Sequence, residues 1–145
     1  MRLVIQRVNN AEVSAKGKIV GKIDKGLFVL IGFKKGDTEE NVNYLAEKLV
    51  KLRVMADDNN KMNLSAKEAD GQILAVSQFT LYANTKDGNR PSFISAEEPE
   101  KAKELYKYFM DKLETFGLVV QTGQFGEYMK INAELDGPVT IILES

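Results

Sequence analysis

Gly71-Gln72-Ile73-Leu74-Ala75-Val76-Ser77-Gln78-Phe79-Thr80-Leu81-Tyr82 changes character halfway along. Ile73-Leu74-Ala75-Val76 has the length and β-branched content of a buried strand. Ser77, Gln78 and Thr80 then set a hydroxyl, a carboxamide and a second hydroxyl at its end. Strand alternation sends Gln78 and Thr80 to one face, and Ser77, Phe79 and Leu81 to the other. Residues 84–90 carry Asn, Asp and Gly and read as a loop. Polar groups ending a buried strand beside a loop are how a rigid scaffold often presents a site. They also serve simply to satisfy backbone at a strand end.

Upstream, residues 2–8 read as a strand and residues 11–23 as a hairpin turning at Lys16-Gly17-Lys18. Residues 26–33 are almost unbroken in apolar character, as suits a strand covered on both faces. A helix is expected to start at Gly36-Asp37-Thr38-Glu39-Glu40, capped by Asp37 with Glu40 three residues on. Val42, Leu45, Leu49 and Leu52 then form its core stripe. Asp57-Asp58-Asn59-Asn60 is a turn without the spacing or closing Glu of an EF-hand. Downstream, Ser95-Ala96-Glu97-Glu98 reads as a second capping box ahead of Pro99. Ala102, Leu105, Tyr106, Phe109, Leu113 and Phe116 are the buried stripe of that helix, ended by Gly117. Residues 118–122 and 127–134 look like strands around Gly123-Gln124-Phe125-Gly126. Asp136-Gly137-Pro138 opens a terminal strand, and a Gly-Pro bond there can be cis. Residues 1–145 therefore read as one α+β domain. Its sheet is mostly antiparallel and curled toward a barrel, with two long helices packed on one side.

The chain has 145 residues, 43% of them hydrophobic and 28% charged, which is the composition of an ordinary soluble domain. No apolar run approaches the roughly 20 residues of a membrane span. The opening Arg2-Leu3-Val4-Ile5-Gln6-Arg7-Val8 lacks the layout of a signal peptide, so a cytoplasmic location and no membrane partner are expected. There is no Cys, which excludes thiolate nucleophiles, disulfides and Cys zinc sites. There is no His, which excludes Ser-His-Asp arrangements and histidine-ligated metals. No metal and no cofactor are expected. Catalysis would fall to hydroxyls, carboxylates, amides, Lys, Tyr, backbone groups or the substrate itself. A net charge of −1 and a pI of about 5.6 argue against broad, salt-driven nucleic-acid binding. Lys86 and Arg90, in the loop after the central strand, remain able to meet phosphates locally.

Ser77-Gln78-Phe79-Thr80 and Gly137-Pro138-Val139-Thr140 together resemble the paired motifs of the D-aminoacyl-tRNA deacylases, also called D-tyrosyl-tRNA(Tyr) deacylases. The likeness extends through Val4-Ile5-Gln6-Arg7-Val8, Gly26-Leu27, Lys61-Met62-Asn63-Leu64, Arg90-Pro91-Ser92-Phe93 and Thr122-Gly123-Gln124-Phe125-Gly126. Either motif alone is short; both, in this order and at this separation, are specific. The resemblance implies a homodimeric hydrolase that cleaves the ester between a D-amino acid and tRNA, and also glycyl-tRNA. It implies that Gly137 and Pro138 form a cis element reaching the partner subunit's pocket. There their carbonyls would hold the substrate's α-amino group and exclude L-amino acids. It assigns Ser77, Gln78, Phe79 and Thr80 to catalysis, and Gly137, Pro138, Met62, Phe125 and Arg7 to substrate binding. Thr80 has been viewed in the family as the nucleophile. The motif holds no base to activate it, which favours a positioning role, with N–H groups near Phe79 and Thr80 as the oxyanion site. Leu135 stands where the family usually has Asn.

Two other readings are open: an editing hydrolase for another mischarged tRNA, and a non-catalytic nucleic-acid-binding module. The second would use Lys16, Lys18, Lys22, Lys86 and Arg90 as its basic face.

Overall fold

The computed structural model describes all 145 residues, Met1 to Ser145. β1 (Arg2–Ala15), β2 (Lys18–Ile23) and β3 (Gly26–Gly32) form an antiparallel start, with β1 between the other two. α1 (Glu39–Val50) and the small hairpin β4 (Met55–Ala56) and β5 (Met62–Leu64) follow. β6 (Gln72–Ser77) then pairs with β3 in parallel. α2 (Pro99–Thr115) leads to β7 (Val120–Thr122), which is parallel to β6. β8 (Met129–Glu144) returns antiparallel along the full length of β1. Parallel neighbours need a long crossover, usually helical, and each helix sits in one. α1 lies between β3 and β6, and α2 between β6 and β7. That is why both helices pack on one side of the sheet.

The sheet separates two cores. Leu3, Ile5, Leu27, Val29, Ile31, Ile73 and Ala75 face the helices and meet Val42, Leu45, Leu49, Leu105, Phe109 and Leu113. Val8, Ala11, Val13, Ile23, Phe28, Leu74 and Val76 fill the inside of the curled sheet. β1 supplies both cores because its alternation changes phase. Leu3 and Ile5 point to the helices, whereas Ala11 and Val13, also odd-numbered, point inward. The pairing of β1 with β8 shifts register between Gln6 and Val8 and again between Val8 and Asn10, as β-bulges do. At the far edge, a Cβ on Gly21 of β2 would lie 2.6 Å from the Thr122 carbonyl oxygen of β7. The missing side chain lets the two edges come together and close the curl.

The expected α+β architecture, mostly antiparallel and with two helices on one side, is the observed one. Three local expectations are corrected. Asp37 does not cap α1; Thr38 does, exchanging hydrogen bonds with Asn41. Asp37 is buried instead, accepting from the Met1 ammonium at 2.6 Å and from the Lys34 N–H at 2.8 Å. Ser95 does not cap α2. Pro99 takes the first helical position, which makes Glu98 the N-cap, and the Ser95 carbonyl accepts from the Lys35 N–H instead. Residues 129–144 form one continuous strand rather than two, with Gly137-Pro138 as an irregularity inside it. No helix is long and apolar enough to cross a membrane.

Gly26 is the tightest point of the parallel pair, since a Cβ there would lie 1.9 Å from the Gln72 carbonyl oxygen. Gly26→Ala is expected to lower unfolding free energy by roughly 1–3 kcal/mol or more, read from urea denaturation.

Candidate active site

The ladder between β3 and β6 reaches its last rung at Ile31 and Ser77, and the Gln78 N–H donates to the Ile31 carbonyl at 2.7 Å. Beyond it the chain does not continue as a strand. Phe79–Tyr82 is a single 3-10 turn, so strand alternation does not sort residues 78–82. Gly32, the end of β3, explains the departure. A Cβ there would lie 3.1 Å from both the Gln78 carbonyl oxygen and the Leu81 Cβ. Without one, the turn can sit directly on β3. Within the turn the Gln78 carboxamide donates to the Thr80 hydroxyl oxygen at 2.6 Å, a pairing that strand alternation alone does not give.

A groove of about 1060 Å³ opens here, at the carboxyl ends of β3, β6 and β7. Such crevices beyond parallel strand ends are the usual ligand sites of parallel sheets. Ser77, Gln78 and Phe79 line it, together with Phe125 from the loop after β7 and Pro99 at the start of α2. The Phe79 and Phe93 rings meet edge to face at 5.0 Å, and Phe79 is more than half exposed. Under the groove, the Tyr106 hydroxyl donates to the Ala75 carbonyl at 2.8 Å, and its ring packs 5.7 Å from Phe125. Burial pushes the Tyr106 phenol far above its ordinary value, so it stays a neutral donor.

The groove's carboxylates are each paired with a lysine: Glu97 with Lys101 at 3.1 Å, Glu98 with Lys35 at 3.3 Å, and Glu127 with Lys16 at 2.8 Å. Glu97 also accepts from the Glu98 and Gly36 N–H groups. The Glu98 N–H and then Lys101 hold its carboxyl below the ordinary value of 4.5. None of the three carboxylates is hydrogen-bonded to Thr80, whose hydroxyl is engaged only by Gln78. No group of three or more His, Cys, Asp or Glu is clustered for a metal ion.

The remaining sequence-selected residues fall elsewhere. Gly137 and Pro138 lie exposed on β8, joined by a cis bond, opposite Arg7 where the β1–β8 register shifts. Arg7 is committed within the chain, its Nε 2.8 Å from an Asp136 carboxylate oxygen and an NH1 donating to the Val54 carbonyl at 2.8 Å. Met62 is exposed on β5. Lys86 and Arg90 are exposed on a loop closed by paired hydrogen bonds between Asn84 and Ser92. One chain therefore brings Ser77, Gln78, Phe79, Thr80 and Phe125 together, but not Gly137 and Pro138 with them. Level with Arg7 and Leu27, the β8 irregularity is three strands and four residues from Ser77. At ordinary sheet spacings that is roughly 14 Å across and roughly 13 Å along. The sequence reading missed Gly32, Glu97 and Tyr106, because each acts through a contact across the fold.

The Gln78 carboxamide and the Thr80 hydroxyl pair at the edge of a largely apolar groove, with no carboxylate hydrogen-bonded to Thr80, and such groups can hold and polarise an ester that is already activated. Groups of this kind suit a hydrolase that works by orienting its substrate. The chain belongs to the D-Tyr-tRNA(Tyr) deacylase family, whose model matches residues 4–144. It is 53% identical to a Thermosipho melanesiensis D-aminoacyl-tRNA deacylase over 100% of this chain and 97% of that protein. It is 54% identical to the Limosilactobacillus reuteri protein of the same name over 99% of each chain. Among solved structures it is similar to a c-Myc DNA unwinding element binding protein, with TM-score 0.94, 37% identity and 100% and 99% of the two chains covered. It also shares the fold of a probable eukaryotic D-amino acid tRNA deacylase, with TM-score 0.87, 17% identity and 99% and 98% covered.

Because Glu97 titrates below the ordinary glutamate value in the fold, its contribution is complete above that value and is lost as pH falls through the lower one. Glu97→Gln is expected to flatten the acid limb of a stability–pH profile below about pH 4.5, followed by urea midpoints at each pH.

Proposed function

We propose that this chain hydrolyses the ester bond of D-aminoacyl-tRNA, and of glycyl-tRNA, releasing the free amino acid and tRNA. The observation that carries the reading is the whole-length match, at about half identity, to relatives named for that activity. The groove's chemistry supports it. An aminoacyl ester is activated, and the terminal adenosine carries a vicinal hydroxyl, so the chain needs chiefly to orient the ester and stabilise an oxyanion. Gln78 and Thr80 orient the ester or the terminal ribose. The opening N–H groups of a helical turn have no partner within it, and those of Phe79 and Thr80 serve as oxyanion donors. Ser77 and Phe125 shape the wall. Lys86 and Arg90 meet phosphates of the tRNA end. A translation-linked, cytoplasmic location follows from this substrate.

Chirality is selected at Gly137 and Pro138. Enantiomers carry identical groups, so rejection needs a rigid clash or an unpaired polar group. In this reading the two carbonyls enter a partner subunit's groove, and Arg7 and Met62 support the element. The separation of the two motifs within one chain favours a homodimer, because a second copy can bring them together. A second reading, nucleic-acid binding without hydrolysis through Lys16, Lys18, Lys22, Lys86 and Arg90, is favoured only by the name of the DNA unwinding element binding protein.

Side-by-side deacylation of D-tyrosyl-tRNA and L-tyrosyl-tRNA is expected to show fast release from the D ester alone. No release from either would leave the binding reading, and equal release would leave the editing of another mischarged tRNA. Thr80→Ala is expected to slow release by roughly tenfold to a thousandfold, the range for removing one positioned group. Complete loss in Thr80→Val with unchanged substrate binding would count against a positioning role for Thr80. Gly137→Ala is expected to lose activity or D-selectivity, since Gly137 has φ +129° and an added Cβ would lie 2.7 Å from the Val139 nitrogen. Light scattering at micromolar concentration is expected to give a dimer, and a monomer would remove the cross-subunit arrangement.

A further inference from the structure

Little apolar burial holds the Phe79–Tyr82 turn in place: none of its four residues is buried. Its leading end is fixed by the Gln78 N–H on Ile31. At its trailing end the Ala83 N–H closes on the Thr80 carbonyl at 3.0 Å, but the Leu81 carbonyl has no helical partner. The Leu81 carbonyl would ordinarily accept from the N–H three residues on, but the Asn84 N–H is given to Ser92 at 2.8 Å. A guanidinium takes the vacancy. Arg2 NH1 donates to the Leu81 carbonyl at 2.5 Å, while its Nε pairs with Glu144, its cross-strand partner on β8. The same group lies 5.0 Å from the centre of the Tyr82 ring.

We propose that Arg2 is a positioning residue, which ties the trailing end of the turn to β1 and β8 and so fixes the Gln78–Thr80 pair at the groove. Three features single out Arg2 from an ordinary strand arginine. It satisfies an otherwise unpartnered turn carbonyl. It joins segments 79 and 142 residues away. Its planar fork serves a carbonyl, a carboxylate and an aromatic face at once, which a lysine ammonium cannot do. The activity arm of this inference rests on the deacylase reading; the structural arm does not.

The test combines amide hydrogen exchange with steady-state kinetics on D-tyrosyl-tRNA, for wild type, Arg2→Met and Arg2→Lys. The amides to follow are Leu81, which donates to Gln78, and Ala83, which donates to Thr80. In Arg2→Met these are expected to exchange faster while β3 amides hold. The turnover number should fall by about tenfold to a hundredfold, the scale of an ångström-level misplacement. KM should change by less than about twofold, since the lost contact does not touch substrate. Arg2→Lys should recover part of both effects. Wild-type exchange at Leu81 and Ala83 in Arg2→Met overturns the proposal, as does a loss carried entirely in KM. If Arg2→Met does not fold, Arg2→Lys decides by the same two readouts. If wild type shows no deacylation, the functional reading fails and the exchange result alone still decides the role of Arg2.

Discussion

β6 runs parallel to β3 on one side and to β7 on the other, and that pairing dictates where its end lies. Three strand ends emerge together, so the groove forms where backbone donors and acceptors are no longer used by ladders. The close approach of Gly26 to Gln72 sets the register of the pair, and the register sets which residue comes last. Because Ser77 is last, Gln78 takes the final rung and the chain must turn above Gly32. A side chain on Gly32 would push that turn away from the sheet and with it the Gln78–Thr80 contact.

The same sheet has to serve two cores, and the phase change in β1 is how it does so. Ahead of the irregularity β1 contributes to the helix-facing core, and beyond it to the inside of the curl. Arg7 sits just ahead of the change of phase and is drawn to Asp136 and Val54. Its partner segment on β8 is where Gly137-Pro138 departs from the ladder. Two neighbouring shifts therefore do different work: the one between Val8 and Asn10 gives β1 the extra residue that changes its phase, and the one between Gln6 and Val8 leaves residues 136–139 of β8 outside the ladder.

Much of this was legible in the chain. The apolar runs at β3 and β6 and the stripes of both helices follow periodicity closely, because burial on a sheet or helix face leaves a local imprint. Tertiary substitutions of one partner for another left none. Asp37 looked like a cap but is buried against an ammonium from the start of β1. Ser95 looked like a cap but Pro99 moved the helix start. The turn at residues 79–82 read as strand because Phe79, Leu81 and Tyr82 have strand propensity. What overrides it is the missing Cβ of a glycine some fifty residues earlier, which periodicity does not register. The motifs were visible as motifs, yet their wide separation within one chain appears only in the sheet order.

That separation bears on how a chain without His or Cys can discriminate. A base-and-nucleophile pair could be built within one groove, on neighbouring elements. Rejection of an enantiomer instead needs backbone that does not yield, and the groove's own walls are aromatic and methylene surfaces that can adjust. The exposed backbone at Gly137-Pro138 lies on β8 beside Arg7, which pairs with Asp136, and stands three strands from the groove of its own chain. If selection and hydrolysis are both done here, they are divided between a tied-down turn that orients the ester and a braced strand that excludes the wrong hand. The proposed dimer is the arrangement in which one copy's strand completes the other's turn. Under a purely nucleic-acid-binding role, the Gln78–Thr80 pair and the Arg7 contacts would serve the fold alone, because phosphate contacts ask chiefly for charge and reach.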